Sequence, residues 1–231
     1  MRRRFGTSAR TAAVLLACIA AAVFAFLRIA HAVRGEETLS RDRAILLWFR
    51  NPNDLTDPIG PPWFEETVAE ITTLGGYPVL TVLIVCVAGY LLLSRRFGPA
   101  IYLLASIGAG TAISQLLKAA YARPRPDLVN HLVETFTASF PSGHATMATV
   151  VYLTLAALIV QFVKELSVRF FVLSAAILLA LAVGASRVYL GVHWPSDVLA
   201  GWALGAAWAA LSWLVVSVLR RRRNAARREA S

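Results

Sequence analysis

Six apolar runs set the limits on what this chain can become. They extend roughly from Thr11 to Ala30, Val79 to Leu93, Ala100 to Ala120, Ala145 to Val163, Val168 to Ala185 and Val198 to Leu219. A helix of about 20 apolar residues crosses the roughly 30 Å hydrocarbon core of a bilayer. All the runs approach that length, the second being the shortest. Only 16% of the 231 residues are charged and 58% are hydrophobic, whereas a soluble domain carries about a quarter charged residues. The expected fold is all-α: an integral membrane bundle of six transmembrane helices.

The net charge of +10 invites a nucleic-acid reading, which its distribution removes. The two termini, Arg95-Arg96 and the segment Lys164 to Arg169 hold 14 of the 23 Lys and Arg residues and only Glu165 and Glu229 among the 13 acids. Basic residues beside apolar spans report orientation, with the positive side in the cytoplasm. An even number of spans then puts both termini inside, in a plasma membrane. The basic start, apolar run and "AHA" at Ala30 to Ala32 also resemble a secretory signal, but the apolar core is long for one. An uncleaved first span is expected.

Between the first two spans, "RDRAILLWFR" (41–50) mixes apolar and charged residues in the manner of a helix lying in the interface, apolar side towards lipid. "NPNDLTDPIGPPW" reads as a proline-rich turn. The chain divides into residues 1–98 (basic tail, two spans and the interfacial segment), 99–219 (a four-span core) and 220–231 (a basic cytoplasmic tail).

Polar residues break into the apolar pattern at three places. "KAAYARPRP" ends the third span, "SFPSGH" precedes the fourth, and "SRVYLGVHWPSD" joins the fifth to the sixth. On the topology above, all three lie at the extracytoplasmic helix ends, where basic residues are disfavoured. Singly, each has an ordinary explanation: Lys118, Arg125 and Arg187 as headgroup anchors, Ser142 as a helix cap, Asp197 as a complement to a helix dipole. Three clusters at one depth point instead to a site. Lys118, Arg125 and Arg187 supply cationic donors suited to a phosphoryl group. Ser142 and Gly143 stand at a helix start, where free N–H groups face an anion and Gly permits close approach. Asp197 is four residues after His193 and can reach back to one ring nitrogen, leaving the other to attack. His144 is a second imidazole, placed to protonate a leaving oxygen. Cys18 and Cys86 lie inside apolar runs and no Cys/His spacing suits a metal, so no metal and no other cofactor is expected. Arg123 is assigned only local positive charge, His31 and His131 are read as loop or interface residues, and Tyr189 and Trp194 as interfacial aromatics.

At these residues the chain resembles the type 2 phosphatidic acid phosphatases, whose site is shared with vanadium haloperoxidases and glucose-6-phosphatase. Lys118 is followed by six residues and Arg125-Pro126; Pro141-Ser142-Gly143-His144 comes next; Ser186-Arg187, His193 and Asp197 complete the pattern. The resemblance implies a metal-independent lipid phosphatase inhibited by vanadate. His193 would form a phosphohistidine, Asp197 would support it and His144 would protonate the leaving group. Lys118, Arg125, Ser142, Gly143 and Arg187 would hold the phosphoryl oxygens. Candidate substrates are polyprenyl diphosphates, phosphatidylglycerophosphate and phosphatidate. Two competing readings are a transporter or channel for phosphorylated lipids or anions, and a vanadate-dependent peroxidase. Polar residues gathered at one face disfavour the first; the spans disfavour the second.

Overall fold

The computed structural model describes residues 9–129 and 137–229; His131 lies outside the described residues. Eight helices and one hairpin are described: α1 (Ala9–Arg34), α2 (Leu39–Trp48), β1 (Arg50–Asn51), β2 (Asp54–Pro58), α3 (Pro62–Thr73), α4 (Tyr77–Leu93), α5 (Phe97–Tyr121), α6 (Gly143–Val160), α7 (Leu166–Tyr189) and α8 (Pro195–Glu229). Helices α1, α5, α6, α7 and α8 each have the length and apolarity of a membrane span, and α3 with α4 meet the same test as one span bent by 45°.

Residues 62–73 fall outside the six apolar runs of the sequence; in the structure they form α3, which has the apolarity of a span only when taken together with α4. Glu65, Glu66 and Glu70 interrupt the apolar pattern of α3, which made the second run look short. Pro62 stands in the first turn of α3, where its missing N–H costs no hydrogen bond. The supposed proline-rich turn likewise contains antiparallel strands β1 and β2, pairing Arg50 with Pro58 and Asn51 with Asp54.

Helix α6 is the centre of the bundle: 61% of its span is buried, against 6% of the α1 span. It packs between α7 and α8, with α5 alongside. Contact with α8 is close because Gly201 and Gly205 face α6. A Cβ at Gly205 would stand 2.6 Å from Thr149 Cβ, and one at Gly201 would stand 3.0 Å from both Ala145 Cβ and the Ser142 carbonyl. Small residues at helix contacts let backbones approach where no hydrophobic effect drives association. At mid-bundle, Ser106 donates to Ser212 (3.0 Å) and Trp208 Nε1 donates to the Ser106 carbonyl (2.7 Å), tying α5 to α8. Helix α1 packs on α8 and buries Phe26, Ala30 and Val33 with Phe140, which directly precedes the "PSGH" stretch.

Helix α2 lies at the same end as the polar motifs. Trp48 and Ile45 are exposed, but Asp42 and Leu46, one turn apart, both face inward. The inner side of α2 therefore carries a carboxylate. Tyr189 and Trp194, read as interfacial aromatics, pack inside the protein. Both are buried, Tyr189 beneath α3 and the hairpin, and Trp194 against Leu46, Val129 and Val198. His31 is exposed in the last turn of α1. Helix α8 continues past Arg220 to Glu229.

Candidate active site

Four helix tips converge at one end of the bundle: the C-termini of α5 and α7 and the N-termini of α6 and α8. Helices α5 and α7 extend to Tyr121 and Tyr189, so Lys118 and Arg187 sit in their last turns. Backbone hydrogen bonds lock the tips together. The Ser142 N–H donates to the Asp197 carbonyl (3.0 Å), and Ser139 N–H donates to the Arg123 carbonyl (2.9 Å). After α7 the chain turns through Gly191, whose φ of 75° favours glycine. The Val192 and His193 N–H groups fold back on the Arg187 carbonyl (3.2 and 3.3 Å). That turn brings His193, two residues after Gly191, back beside Arg187, four residues before it.

The segment after α5 is extended. Arg123 and Arg125 each precede a proline, which disfavours helical backbone for both. Residues two apart then point the same way, and both arginines reach the His193–Asp197 pair. Arg125 Nη1 lies 3.2 Å from His193 Nε2 and donates to the Val192 carbonyl (2.6 Å), while its Nε donates to the Thr137 carbonyl (2.8 Å). A guanidinium can only donate, so Nε2 accepts and the ring hydrogen is on Nδ1. Nδ1 faces Ser139 Oγ at 3.3 Å and Asp197 Oδ2 at 3.5 Å. The Ser139 hydroxyl donates to Asp197 Oδ2, so it links imidazole to carboxylate.

Asp197 lies in the first turn of α8, three residues after Trp194, and its Oδ2 accepts the Trp194 N–H at 3.0 Å. This is the reach-back contact of a helix-start carboxylate. Its Oδ1 accepts from Arg123 Nη1 at 2.5 Å. His193 is fully buried among Arg125, Arg187 and Lys118; burial first, then these cations, hold its pKa well below the ordinary imidazole range. It is therefore a neutral ring with an unprotonated Nε2.

Lys118 and Arg187 are buried. Lys118 Nζ donates to the Ala138 carbonyl (2.5 Å) and Arg187 Nη1 to Thr72 Oγ1 of α3 (3.0 Å). The Arg187 Nε is buried without a partner. Among the described residues no carboxylate pairs with Lys118, Arg125 or Arg187; the ion pairs go to Arg123 and His193. Three cations thus crowd around one imidazole with no ion-paired carboxylate of their own, although Asp197 lies within electrostatic range of Lys118 and Arg125. Such a cluster is costly unless an anion joins it.

Helix α6 begins at the same place. Ser142 is its buried N-cap, accepting the Ala145 N–H at 3.5 Å, a long contact. Gly143 is buried beside Lys118 Cε, which a Cβ there would approach to 3.4 Å. His144 is half-buried, within electrostatic range of Arg187, His193, Arg125 and Lys118. All eight residues singled out from the sequence are therefore brought to one end of the bundle. Sequence reasoning passed over Ser139, Thr72 and Asp42, and gave Arg123 no partner. Only Ser139, adjoining "PSGH", carried any local signal.

In a helical membrane protein, cations gathered at the helix tips around a neutral histidine form a place where an anion such as a phosphoryl group can bind. Residues 99–221 match the PAP2 superfamily, and the chain belongs to that family. It is 35% identical over 181 residues to phosphatidylglycerophosphatase B of Bacillus subtilis, covering 78% of this chain and 85% of that one. It is 36% identical over 134 residues to decaprenylphosphoryl-5-phosphoribose phosphatase of Mycobacterium tuberculosis, covering 56% and 68% respectively. The fold is similar to the crystal structure of the transmembrane PAP2 type phosphatidylglycerolphosphate phosphatase from Bacillus subtilis. The TM-score is 0.75 and the identity 33%, over 84% of this chain and 93% of that one.

Proposed function

We propose that the protein hydrolyses a phosphomonoester or diphosphate headgroup of a membrane lipid, through a phosphohistidine on His193. The observation that carries this reading is the set Lys118, Arg125 and Arg187, none in an ion pair among the described residues, around His193 Nε2. Lipid substrates are supported by the relatives, named as phosphatases of phosphatidylglycerophosphate and of a decaprenyl-phosphoryl sugar phosphate. A site at helix-tip depth also lets the tail stay in the bilayer while the headgroup enters.

In the first step the Nε2 lone pair attacks phosphorus and the bond to the leaving oxygen breaks. His144, in its imidazolium form beside the bound anion, gives that oxygen a proton. Asp197 and Ser139 hold the Nδ1–H and stabilise the positive ring that forms. Lys118, Arg125, Arg187, Ser142 and the N–H groups at Gly143 bind the equatorial oxygens as charge builds on them. In the second step His144, now neutral, takes a proton from water as the water oxygen attacks phosphorus. The P–N bond breaks, inorganic phosphate leaves and both imidazoles are restored.

The site is assigned to the extracytoplasmic face of a plasma membrane. In α8, Asp197 opens the helix and Arg220 to Arg223 lie near its other end. The basic side favours the cytoplasm, which puts the phosphate site outside. The test is phosphate release by purified protein in detergent with EDTA. The panel is a polyprenyl diphosphate, phosphatidylglycerophosphate and phosphatidate. Release from one or more of these, abolished in His193→Ala, is expected; transport of such lipids without phosphate release would overturn the assignment.

A further inference from the structure

The seam between α2 and α8 holds a buried charge cluster organised by Asp42, which lies outside the three motif stretches. Asp42 of α2 is 3% exposed. Its Oδ1 accepts the Ser196 N–H (2.9 Å), and its Oδ2 accepts the Ser196 hydroxyl (2.5 Å) and Arg123 Nη2 (2.9 Å). Asp42 therefore satisfies a free N–H of the α8 first turn from another helix, a position where a carboxylate is favoured. Arg123 spends its other nitrogen on Asp197 Oδ1 (2.5 Å) and Ser196 Oγ (2.8 Å). Its guanidinium also lies over the Trp194 ring, 5.6 Å from the centroid. Trp194 Nε1 donates to the Pro124 carbonyl at 3.1 Å, closing the loop.

Resting on the phosphohistidine reading, we propose that Asp42 and Arg123 are positioning residues for this reaction. Asp42 holds Arg123, Arg123 holds Oδ1 of Asp197, and Asp197 is thereby left with Oδ2 for Ser139 and His193. The geometry gives each link a separate task. Arg123 offers Asp197 one nitrogen rather than both, because Asp42 occupies the second. Without Asp42, the guanidinium is free to turn and engage both Asp197 oxygens in the two-pronged geometry that carboxylates favour. Oδ2 would then be drawn away from the imidazole. Without Arg123, two buried carboxylates face each other across Ser196. The interfacial helix is on this account a part of the catalytic support, coupled to the nucleophile through two ion pairs.

Charge makes the proposal testable beyond mere loss of activity. His193 is faced by Lys118 from α5, Arg125 and, through Asp197, Arg123 from the extended segment, His144 from α6, Arg187 from α7 and Asp197 from α8. Asp42→Asn removes a negative charge from this surrounding and disfavours the imidazolium, so the acid limb of kcat/KM moves to lower pH. Arg123→Gln removes a positive charge and moves that limb to higher pH. Asp42→Asn is expected to lower kcat about tenfold, the order found on removing an outer hydrogen-bonding partner of a site residue, with KM and inhibition by inorganic phosphate unchanged. Asp42→Glu is expected to recover part of kcat. The double variant should lose less than the two single losses multiplied together, since the residues act as one unit.

The experiment is steady-state phosphate release by full-length protein against pH, with inorganic phosphate as competitive inhibitor. Opposite displacements of the acid limb, with phosphate inhibition retained, are the predicted result. Displacement in one direction, or none, overturns the proposal. So does loss of phosphate inhibition in both variants, because the cluster would then hold the fold rather than the imidazole. Were no variant affected while His193→Ala was dead, the phosphohistidine reading would stand and this one would fall; activity surviving in His193→Ala would instead remove the parent reading.

Discussion

Arg123 and Arg125 leave the same extended segment two residues apart and meet opposite surroundings. Arg123 is divided between two carboxylates, Asp42 and Asp197. Arg125, with Lys118 and Arg187, finds carbonyl and hydroxyl oxygens but no carboxylate among the described residues. One group of charges is complete within the protein; the other becomes complete when an anion arrives. Burial is similar in both, so desolvation does not separate them. What separates them is direct ion pairing within the protein, and this is the physical distinction between a support and a binding site.

Substitutions at the two groups should accordingly differ in kind. The largest effect belongs to the atom both groups serve: His193→Ala should cut turnover by about 10⁴-fold or more, as loss of a nucleophile does, measured as phosphate release. Next, Arg187→Met should lower kcat/KM by about 10²- to 10³-fold, the order for removing one donor to developing charge. It should also raise the thermal unfolding midpoint in detergent, because an uncompensated buried charge is gone. Arg123→Met should do the reverse to stability, costing about 3–5 kcal/mol as two buried carboxylates lose their shared partner. A stabilised Arg123 variant or a destabilised Arg187 variant would break the comparison. Ser139→Ala comes after these. It removes the hydroxyl between Nδ1 and Asp197 and should reduce kcat about tenfold with KM unchanged.

The smallest effect is on stability against pH. The folded pKa of His193 is depressed by burial and by Arg125, Arg187 and Lys118. Its contribution is therefore fully present above the ordinary imidazole value of about 6.5 and is lost as pH falls towards the depressed one. Across that window the thermal midpoint of the wild type should fall more steeply than that of His193→Gln. Parallel curves would show that the ring is not held neutral.

The site residues and the helical bundle were legible because membrane-spanning sequence is so uniform. Against runs of Ala, Leu and Val, the three polar stretches carrying Lys118, His144 and His193 stand out, and their spacing fits one family pattern. Helix α3 was hidden because Glu65, Glu66 and Glu70 dilute its apolar face below what reads as a span. Asp42 was hidden differently. It sits between Arg41 and Arg43 in a mixed helix, where a carboxylate reads as solvent-facing, and its partners Arg123 and Ser196 are 81 and 154 residues away. Local pattern reveals residues that differ from their neighbours in sequence, but says nothing about pairs made by tertiary contact. Arg123 shows the limit well: its charge was visible and its two carboxylates were not.

The central claim is that three cations without an ion-paired carboxylate present a phosphoryl group to a neutral His193 Nε2. Rapid quenching of one turnover, with a lipid substrate carrying labelled phosphate, tests it most directly. Label bound to the protein through His193, stable in base, released in acid and missing from His193→Ala, is the predicted result. Full phosphate release with no label on the protein at any time, or label that persists in His193→Ala, would contradict it.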